Sequence, residues 1–371
     1  MSDQLFIGLM SGTSLDGVDA VLIDCQNPAN LKLLGRHGEP FRADLKDALW
    51  ALQAPAHDEL NRMSLAGLGL AQVYAQAVKM LLLKTGYSSK HIQAIGAHGQ
   101  TVRHAPDLGF TCQINAPATL VELSGIAVIS DFRSRDIAAG GQGAPLVPAF
   151  HQHVFSSNTP RVILNLGGIA NLSVLEPGHA PRGSDSGPAN MLIDNWAKLH
   201  TGQSFDNGGQ WGAKGHVNEA LLALLIADEP WFKKPFPKST GRDLFNVSWL
   251  NKQLVNFKKT NFSTLDAIDV QATLQCLTAR TVALAIDALG AHGWPIYVCG
   301  GGAFNNSMMR HIARETQAVM NTTDSLGIPA QDVEAAAFAW LAWAHVQRVP
   351  ANEPKATGAL GARVLGAYWP V

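Results

Sequence analysis

The sequence has few cysteines, few charged residues and no long apolar run. Its four cysteines are scattered, with no CxxC pair, which argues against a zinc ribbon or a disulfide scaffold and favours a reducing cytoplasm. Charged residues make up 15% of the 371 residues, and 28 Lys+Arg nearly balance 29 Asp+Glu, so we expect nucleic acid not to be a partner. Nowhere do 18 apolar residues follow one another, and no basic and apolar leader opens the chain, so we expect neither a membrane span nor a secretion signal.

What the sequence does contain is typical of a turn-rich α/β enzyme. Hydrophobic residues make up 47%, and there are 35 glycines and 19 prolines. The length exceeds what one hydrophobic core usually supports, so we predict two domains, 1–160 and 161–371, with the chemistry in the cleft that separates them. Each half opens on a predicted β-hairpin, residues 5–24 in the first and 162–175 in the second, which suggests two related halves.

The turn of the first hairpin reads SGTSLDGVD over residues 11–19. Its backbone N–H groups and hydroxyls suit phosphate oxygens, and Asp16 and Asp19 could orient a hydrated cation. An ordinary tight hairpin is the alternative, because such turns are common. The second hairpin repeats the device with Asn165, Gly167 and Gly168, which favours a phosphate site in each half.

A third glycine-rich turn, Gly300, Gly301 and Gly302, follows a short predicted strand and precedes a helix. Glycine there lets the backbone approach a ligand closely, and the helix N-terminus favours an anion. The dinucleotide fingerprint is not met, because Asn305 stands where its third glycine belongs. No GxxxxGK[ST] motif occurs, so a P-loop is also excluded.

Two polar regions are candidates for chemistry on a substrate. Asp185, in the run GSDSGPAN, is expected on a sharp turn before a helix that opens at Pro188; an N-cap, or an aspartate nucleophile of a hydrolase, is the alternative. Arg133 lies in the loop DFRSRD, where its fork could bind a carboxylate, unless the loop is only a salt-bridged surface. His98 and Gln100 stand at a strand end, where ligand loops concentrate, although such histidines are more often structural.

The paired hairpins and the late glycine-rich turn resemble the sugar kinase, heat-shock ATPase and actin superfamily. The strings IGLMSGTSLDGVDAVLID, GAHGQTVRH, DFRSRDIAAGGQGAPLVP, NLGGIANLSVL, SDSGPANMLID and CGGGAFN are similar to those of the 1,6-anhydro-N-acetylmuramic acid kinases of bacterial cell-wall recycling. The resemblance spans essentially the whole chain. It implies an α/β, two-domain actin-like ATPase (ribonuclease H-like) fold with an interdomain active-site cleft.

The resemblance also implies roles for particular residues. Asp185 is expected to be the catalytic base, in a DSGP version of the family's DTGP-type motif, and Glu334 to lie near the substrate together with His98, Gln100 and Arg133. Gly8 stands where ordinary sugar kinases open the hairpin with Asp, so no metal ligand is assigned. The residues expected to contact ATP are Gly12, Thr13, Ser14, Leu15, Asp16, Gly17, Val18, Asp19, Asn165, Gly167, Gly168, Gly300, Gly301 and Gly302.

The implied reaction joins ring opening to phosphorylation. Oxygen O6 of the substrate 1,6-anhydro-N-acetylmuramic acid is tied to the anomeric carbon, so Asp185 would deprotonate a water that opens the ring while O6 attacks the γ-phosphoryl group of ATP, with Mg²⁺ as cofactor. The product would be N-acetylmuramate 6-phosphate. We expect a cytoplasmic homodimer. An inert sugar-binding protein and an aspartate-nucleophile hydrolase are the alternatives.

Overall fold

The computed structural model describes residues 4–12, 15–27, 30–261 and 265–371. Thr13 and Ser14, two of the residues predicted to contact ATP, lie outside the described residues.

The described strands are numbered in chain order. They are β1 (Leu5–Met10), β2 (Gly17–Asp24), β3 (Lys32–Pro40), β4 (Ile92–Ala97), β5 (Gln100–Ala105), β6 (Phe110–Ile114), β7 (Val128–Ser130), β8 (Arg161–Leu166), β9 (Ile169–Leu175), β10 (Arg182–Pro188), β11 (Ile296–Cys299), β12 (Met320–Thr322) and β13 (Ala367–Trp369).

The described α-helices are numbered in the same way. They are α1 (Ala43–Ala51), α2 (Glu59–Thr85), α3 (Pro117–Ser124), α4 (Ser134–Ile137), α5 (Val147–Phe155), α6 (Asn190–Thr201), α7 (Glu219–Ala227), α8 (Val247–Asn261), α9 (Ala267–Ala288), α10 (Asn306–Thr316), α11 (Val333–Val346) and α12 (Pro354–Thr357). Single 3₁₀ turns include Pro230–Lys233 and Gly301–Phe304.

The chain forms two compact units. The first unit contains Met1–Ser156 and Asp332–Val371, and the second contains Ser157–Gln331. This division differs from the expected domains 1–160 and 161–371, because the C-terminal part of the chain belongs to the first unit. The physical reason is helix α11, whose residues from Ala335 to Ala344 are all buried and which packs on β1 and β4.

The sheet of the first unit has the strand order β13-β7-β4-β1-β2-β3. Strands β1, β2 and β3 form an antiparallel meander, whereas β4 and β7 run parallel to β1. Helix α2 is amphipathic and buries Leu70, Tyr74, Val78 and Leu81 at helical spacing in the core that includes β1 and β2. Apolar residues at this spacing, from an N-cap candidate at Asp58 to a glycine at residue 86, predict this helix from the sequence.

Helix α2 is also the one helix of the described residues that is long and apolar enough to cross a membrane by length and composition alone. Half of its most apolar window is buried inside the protein. It is a core helix of the first unit.

The sheet of the second unit has the order β10-β9-β8-β11-β12, with β8, β9 and β10 antiparallel and β11 and β12 parallel to β8. The first five strands of the first sheet, taken in chain order as β1, β2, β3, β4 and β7, and the five strands of the second sheet therefore share the order 3-2-1-4-5 and the same directions, and β13 adds a sixth strand to the first sheet. The prediction of two related halves, each opening on a hairpin, is confirmed by this repeat. The buried helix α9 packs against β10, α6, α7 and α10.

Two local expectations were wrong. Asp185 lies on the edge strand β10 and not on a turn, and the following helix begins at Asn190 and not at Pro188. A run of glycine and serine has low strand propensity, but pairing with β9 imposes the extended conformation. The stretch after residue 349 is rich in Pro, Gly and Ala, a composition that predicts an irregular tail, but it adds strand β13 to the sheet beside β7 and forms the short helix α12.

Candidate active site

The first unit brings together His98 and Arg133, two residues predicted to bind substrate. His98 follows strand β4 and is 5% exposed, and its Nε2 accepts hydrogen bonds from Arg133 Nη2 at 3.0 Å and Arg133 Nε at 3.3 Å. A ring nitrogen that accepts these bonds carries no proton. Burial, together with the guanidinium charge, lowers the pKa of His98 to about 3. The pair therefore carries one positive charge, which is located on Arg133.

The backbone on both sides of Arg133 in the sequence fixes the orientation of its side chain. Asp131 adopts a left-handed conformation with φ 57°, which Asp tolerates better than most residues, and this turns the chain sharply after β7. On the other side the carbonyl of Gly143 accepts a hydrogen bond from Arg133 Nη1 at 2.7 Å. The guanidinium is thus held at Nη1 by a carbonyl and at Nη2 and Nε by His98. The reading of this loop as only a salt-bridged surface is wrong for Arg133, which is half-buried.

Gln100 joins this pair to the first hairpin. Its side chain is 1% exposed, and its Nε2 donates to the carbonyl of Gly12 at 3.3 Å. Next to it, Ser11 Oγ donates to the carbonyl of Gly99 at 3.0 Å, and the Tyr74 hydroxyl lies 3.0 Å from Ser11 Oγ and accepts the Gly99 N–H at 3.1 Å. The buried tyrosine of α2 therefore holds the hairpin turn and the end of β4 together. The sequence indicated Tyr74 only as a core residue.

Helix α11 lies next to the residues just described. Glu334, predicted to lie near the substrate, is in the first turn of the helix, and Phe338 follows one turn later on the same face. The Phe338 ring lies 4.7 Å from the His98 ring and 5.5 Å from the Phe132 ring, measured between centroids. The structure therefore gathers His98, Gln100, Arg133 and the face that carries Glu334 in one unit. Phe338 was not predicted, because one phenylalanine among alanines carries no chemical signal.

The glycine at the opening position of the first hairpin has a packing explanation. A Cβ atom on Gly8 would lie 1.8 Å from the carbonyl oxygen of Ala335, and one on Gly96 would lie 2.0 Å from that of Phe338. Helix α11 therefore crosses directly over β1 and β4, and no side chain fits there. The aspartate that ordinary sugar kinases carry at this point has no space in this protein.

In the described part of the run 12–19, main-chain groups are more accessible to a ligand than most side chains are. Leu15 and Val18 are buried in the core, so only their main-chain groups are available to a ligand. Gly17 allows close pairing with β3, because a Cβ there would lie 2.3 Å from the carbonyl oxygen of Glu39. Asp16 and Asp19 are exposed, and Asp16 Oδ1 accepts a hydrogen bond from Lys46 Nζ at 2.9 Å.

Asp185 is the buried carboxylate of the second unit. It is 5% exposed on β10, its Oδ2 accepts the backbone N–H of Thr240 at 2.9 Å, and its own N–H donates to the carbonyl of Lys238 at 3.1 Å. The register between β10 and β9 shifts between Asp185 and Gly187. An irregularity of this kind re-aims the side chains next to it. The segment from Lys238 to Thr240 therefore fixes both the backbone and the carboxylate of Asp185.

Lys238, in this segment, is unusual because its charged side chain is buried. It is 7% exposed, and its ammonium donates to the carbonyls of Trp231 and Phe232 at 3.2 and 3.0 Å and lies 4.3 and 4.5 Å from the ring centroids of Trp231 and Phe236. Burial, and secondarily the charge of Lys234, lowers the pKa of Lys238 to about 8. Carbonyl dipoles and aromatic faces are the partners that stabilise this cation. The sequence analysis missed this lysine.

The second hairpin is connected to the helix that follows Asp185. The carbonyl of Gly168 accepts the N–H groups of Ala189 and Met191, and that of Gly167 accepts the N–H of Asn190 at 3.0 Å. Asn165 is 3% exposed at the end of β8. The predicted residues Asn165, Gly167 and Gly168 are thus brought to the same end of the sheet as Asp185.

The third glycine-rich turn packs against the end of β8. Gly300 has φ +80°, and a Cβ there would lie 2.4 Å from Asn165 Oδ1, while one on Gly302 would lie 2.5 Å from Leu166 Cβ. Gly301 is exposed, and among the described residues a Cβ placed there meets only Asn190 Nδ2 within 4 Å, at 3.8 Å. Two of the three glycines therefore serve packing, and the backbone of Gly301 is accessible.

No group of three or more His, Cys, Asp or Glu side chains that could hold a metal ion occurs among the residues the structure describes. The exposed carboxylates of the run 12–19 are those of Asp16 and Asp19. Mg²⁺ at a nucleotide is usually held by one or two carboxylates, by water and by phosphate oxygens, so this donor set fits a hydrated ion.

One five-strand order occurring in both units, with a glycine-containing turn between the first two strands of each, places the protein in the actin-like ATPase class. Comparison with known sequences narrows the class. The family model described as anhydro-N-acetylmuramic acid kinase matches residues 4–371, and the chain belongs to that family. The family expected from the sequence motifs is thereby confirmed.

Curated relatives with this description are similar over nearly their whole length. A protein of Bordetella parapertussis is 55% identical over 99% of this chain and 96% of its own, and one of Chromobacterium violaceum is 50% identical over 99% of both. Among solved structures, an activator of 2-hydroxyisocaproyl-CoA dehydratase from Clostridium difficile is 12% identical with a TM-score of 0.48, covering 93% of this chain and 96% of that one. Because that TM-score is below 0.5, the fold assignment rests on the strand order.

Proposed function

We propose that this protein is the ATP-dependent kinase that opens the 1,6-anhydro ring of anhydro-N-acetylmuramic acid and phosphorylates its O6, giving N-acetylmuramate 6-phosphate and ADP. The observation that carries the proposal is membership of the anhydro-N-acetylmuramic acid kinase family over residues 4–371. The reaction belongs to peptidoglycan recycling.

Asp185 is the general base of this reaction. Its carboxylate removes a proton from a water molecule, the water oxygen bonds to the anomeric carbon, and the bond from that carbon to O6 breaks. O6 bonds to the γ-phosphorus of ATP as the bond to the bridging oxygen breaks and ADP leaves. The released O6 needs no separate proton donor, because phosphorus takes its electron pair. The Thr240 N–H at Oδ2 restricts rotation of the carboxylate, which is the pre-organisation a base requires.

Arg133 binds the anionic or hydroxyl-rich side of the sugar. Its charge is not shared with His98, which is neutral, and its position is fixed through His98 and Gly143. A planar guanidinium suits the lactyl carboxylate because it can donate two parallel hydrogen bonds. Gln100 and Glu334 contact the sugar from β5 and α11.

The hairpin turns and the glycine-rich turn of Gly300–Gly302 bind the nucleotide through their backbone. In the first unit these are the residues from Gly12 to Asp19, and in the second Asn165, Gly167, Gly168 and the exposed Gly301. A hydrated Mg²⁺ would be held by Asp16 and Asp19. When bound, the ion would neutralise phosphate charge in the transition state.

A homodimer in the cytoplasm is part of the same proposal. The side chains of Leu60, Leu65, Leu68 and Leu83 on α2 are exposed, and a second copy of the chain would cover apolar surface of this kind. The four cysteines are free thiols, which fits a reducing compartment. Sedimentation equilibrium should give twice the chain mass of 39.6 kDa; the mass of one chain would contradict the dimer.

Product analysis in ¹⁸O-labelled water tests the reaction. The purified protein is incubated with the anhydro sugar, ATP and Mg²⁺ and quenched early. We expect a sugar phosphate with one ¹⁸O at the anomeric carbon and none in the phosphoryl group. Unlabelled product kept in the same water for the same time corrects for anomeric exchange. Label in inorganic phosphate without sugar phosphate, or a covalent sugar adduct on Asp185, would contradict the proposal.

A further inference from the structure

A second buried carboxylate lies close to the proposed sugar site, and no role has been given to it so far. Asp136, on the short helix α4 three residues after Arg133, has a relative exposure of 0%. In the described part of the chain it forms no ion pair with Lys, Arg or His. Burying a carboxylate without a cation costs free energy that only good hydrogen bonds offset. Such a group requires a structural or functional reason.

The hydrogen bonds of Asp136 join two segments that are distant in sequence. Oδ1 accepts from Asn352 Nδ2 at 2.6 Å and from Thr357 Oγ1 at 2.8 Å, both in the C-terminal segment. Oδ2 accepts the backbone N–H of Gly143 at 2.8 Å. A Cβ on Gly141 would lie 2.2 Å from Oδ2, so the glycine-rich loop wraps tightly around the carboxylate.

Main-chain bonds join the same two segments. The N–H of Gln142 donates to the carbonyl of Thr357 at 2.7 Å, and the N–H of Leu360 donates to that of Ala139 at 2.8 Å. The C-terminal segment therefore docks on the loop that follows α4. This explains why residues after 349 are ordered here although their composition predicts an irregular tail.

The Gly143 peptide connects this network to the proposed site. The N–H of Gly143 donates to Asp136 Oδ2, and the carbonyl of the same residue accepts the hydrogen bond from Arg133 Nη1 at 2.7 Å. Arg133 in turn donates to His98 Nε2. Moving this loop would move the carbonyl that fixes one arm of the guanidinium.

We infer that Asp136 is a positioning residue for sugar binding: through the Gly143 loop it holds Arg133 against His98, and the C-terminal residues Asn352 and Thr357 belong to the same device. Asp136 does not touch the sugar. The inference deepens the proposed function and rests on it, because Arg133 is the sugar-binding group of that proposal.

The central variant is Asp136→Asn, which keeps the shape and replaces one acceptor oxygen by a donor facing other donors. We expect the KM for the anhydro sugar to rise roughly tenfold, with kcat and the KM for ATP changed less than about twofold, because only Arg133 is displaced. Asp107→Asn is the matched control, since it is the same substitution at an exposed position of the same unit. It should leave the sugar KM unchanged.

Thr357 offers a second pair of variants in case Asp136→Asn does not fold. Thr357→Val removes the donor to Asp136 Oδ1 without changing the shape, and Thr357→Ser retains it. We expect Thr357→Val to raise the sugar KM by about threefold and Thr357→Ser to restore it. Equal effects of valine and serine would contradict the inference, because a packing role does not distinguish the hydroxyl.

Combining Asp136→Asn with Arg133→Ala separates this inference from the proposed function. If Asp136 acts through Arg133, the double variant has the same sugar KM as Arg133→Ala alone. A further rise in the double variant would overturn the inference while leaving the role of Arg133 intact. Failure of the unmodified protein to phosphorylate the sugar would instead overturn the proposed function.

The ¹⁵N resonance of His98 Nε2 gives a readout without substrate. It should shift in Asp136→Asn and Thr357→Val, because the Arg133 contact is lost, and not in Asp107→Asn. An unchanged resonance in both variants would overturn the inference.

Discussion

The two units are built on the same strand order, but their buried polar groups differ in kind and lie on different strands. In the first unit the polar groups are side chains: Arg133 held by His98, beside Gln100. In the second unit one carboxylate, Asp185, is surrounded by backbone from the Lys238–Thr240 segment and by glycine-rich turns. A side-chain site selects a substrate by charge and shape, whereas a backbone-rich site suits phosphates and one reacting group. With the roles proposed for Arg133 and Asp185, one fold used twice divides recognition from catalysis.

The largest effect should come from Asp185→Asn in the second unit. An amide does not accept the proton of the attacking water, so kcat should fall by about 10²- to 10⁴-fold. Steady-state rates with saturating sugar and ATP measure it. Asp228→Asn, the same substitution at an exposed position of the second unit, serves as the control. Near-normal turnover in Asp185→Asn would remove the base from the second unit and break the comparison.

Arg133→Ala in the first unit should weaken binding of the sugar. Losing a largely desolvated charged hydrogen-bond pair costs roughly 2 to 5 kcal/mol, so the KM for the sugar should rise strongly while ATP binding without sugar changes little. The same variant assayed with anhydro-N-acetylglucosamine, which lacks the lactyl group, is the control. Equal losses on both sugars would show that Arg133 does not read the carboxylate.

Acid should destabilise the first unit more than the second. Burial lowers the folded-state pKa of His98 and His151 to about 3 and of His104 to about 4, below the ordinary 6.5. Below pH 6.5 the unfolded chain binds protons on these side chains that the folded chain does not bind. Stability is therefore complete above pH 6.5 and falls as the pH drops toward 4, by about 1.4 kcal/mol per pH unit for each such histidine.

Urea unfolding between pH 7.5 and 5, followed by tryptophan fluorescence, checks this pH dependence. His151→Gln should reduce the slope of stability against pH, whereas His179→Gln, exposed in the second unit, should not. A slope that is the same in both variants would contradict the assignment to buried histidines.

The smallest effect distinguishes two neighbouring glycines of the second unit. Gly302→Ala should lower the free energy of unfolding by about 1 to 3 kcal/mol, because the new Cβ would lie 2.5 Å from Leu166 Cβ. Gly301→Ala should leave stability unchanged and raise the KM for ATP. Thermal unfolding of both variants measures the difference; equal destabilisation would show that Gly301 is also a packing glycine.

The sequence predicted those parts of the molecule whose signal is local. Helix α2 shows apolar residues at helical spacing and ends at a glycine, and the helix expected after the glycine-rich turn at 300–302 is found as α10. The glycine-containing turn between two apolar strands marked each hairpin. Asp185, His98 and Arg133 stood out because each is a reactive or charged residue among glycines or at a strand end.

What the sequence did not predict depends on contacts between distant segments. Strand β13 and helix α12 are stable because the first unit offers β7 and the loop around Asp136 to pair with. Tyr74 and Phe338 are ordinary core residues by spacing, and only the fold brings them to Ser11 and His98. At Gly8 the sequence departs from the pattern of ordinary sugar kinases, and only the position of α11 explains why a glycine is required there.

The division of recognition and catalysis is tested most directly by isothermal titration of the anhydro sugar into Asp185→Asn and Arg133→Ala. The account predicts that Asp185→Asn binds the sugar as tightly as the unmodified protein although it does not turn over, and that Arg133→Ala has lost most of the affinity. Weak sugar binding by Asp185→Asn together with undiminished binding by Arg133→Ala would contradict it.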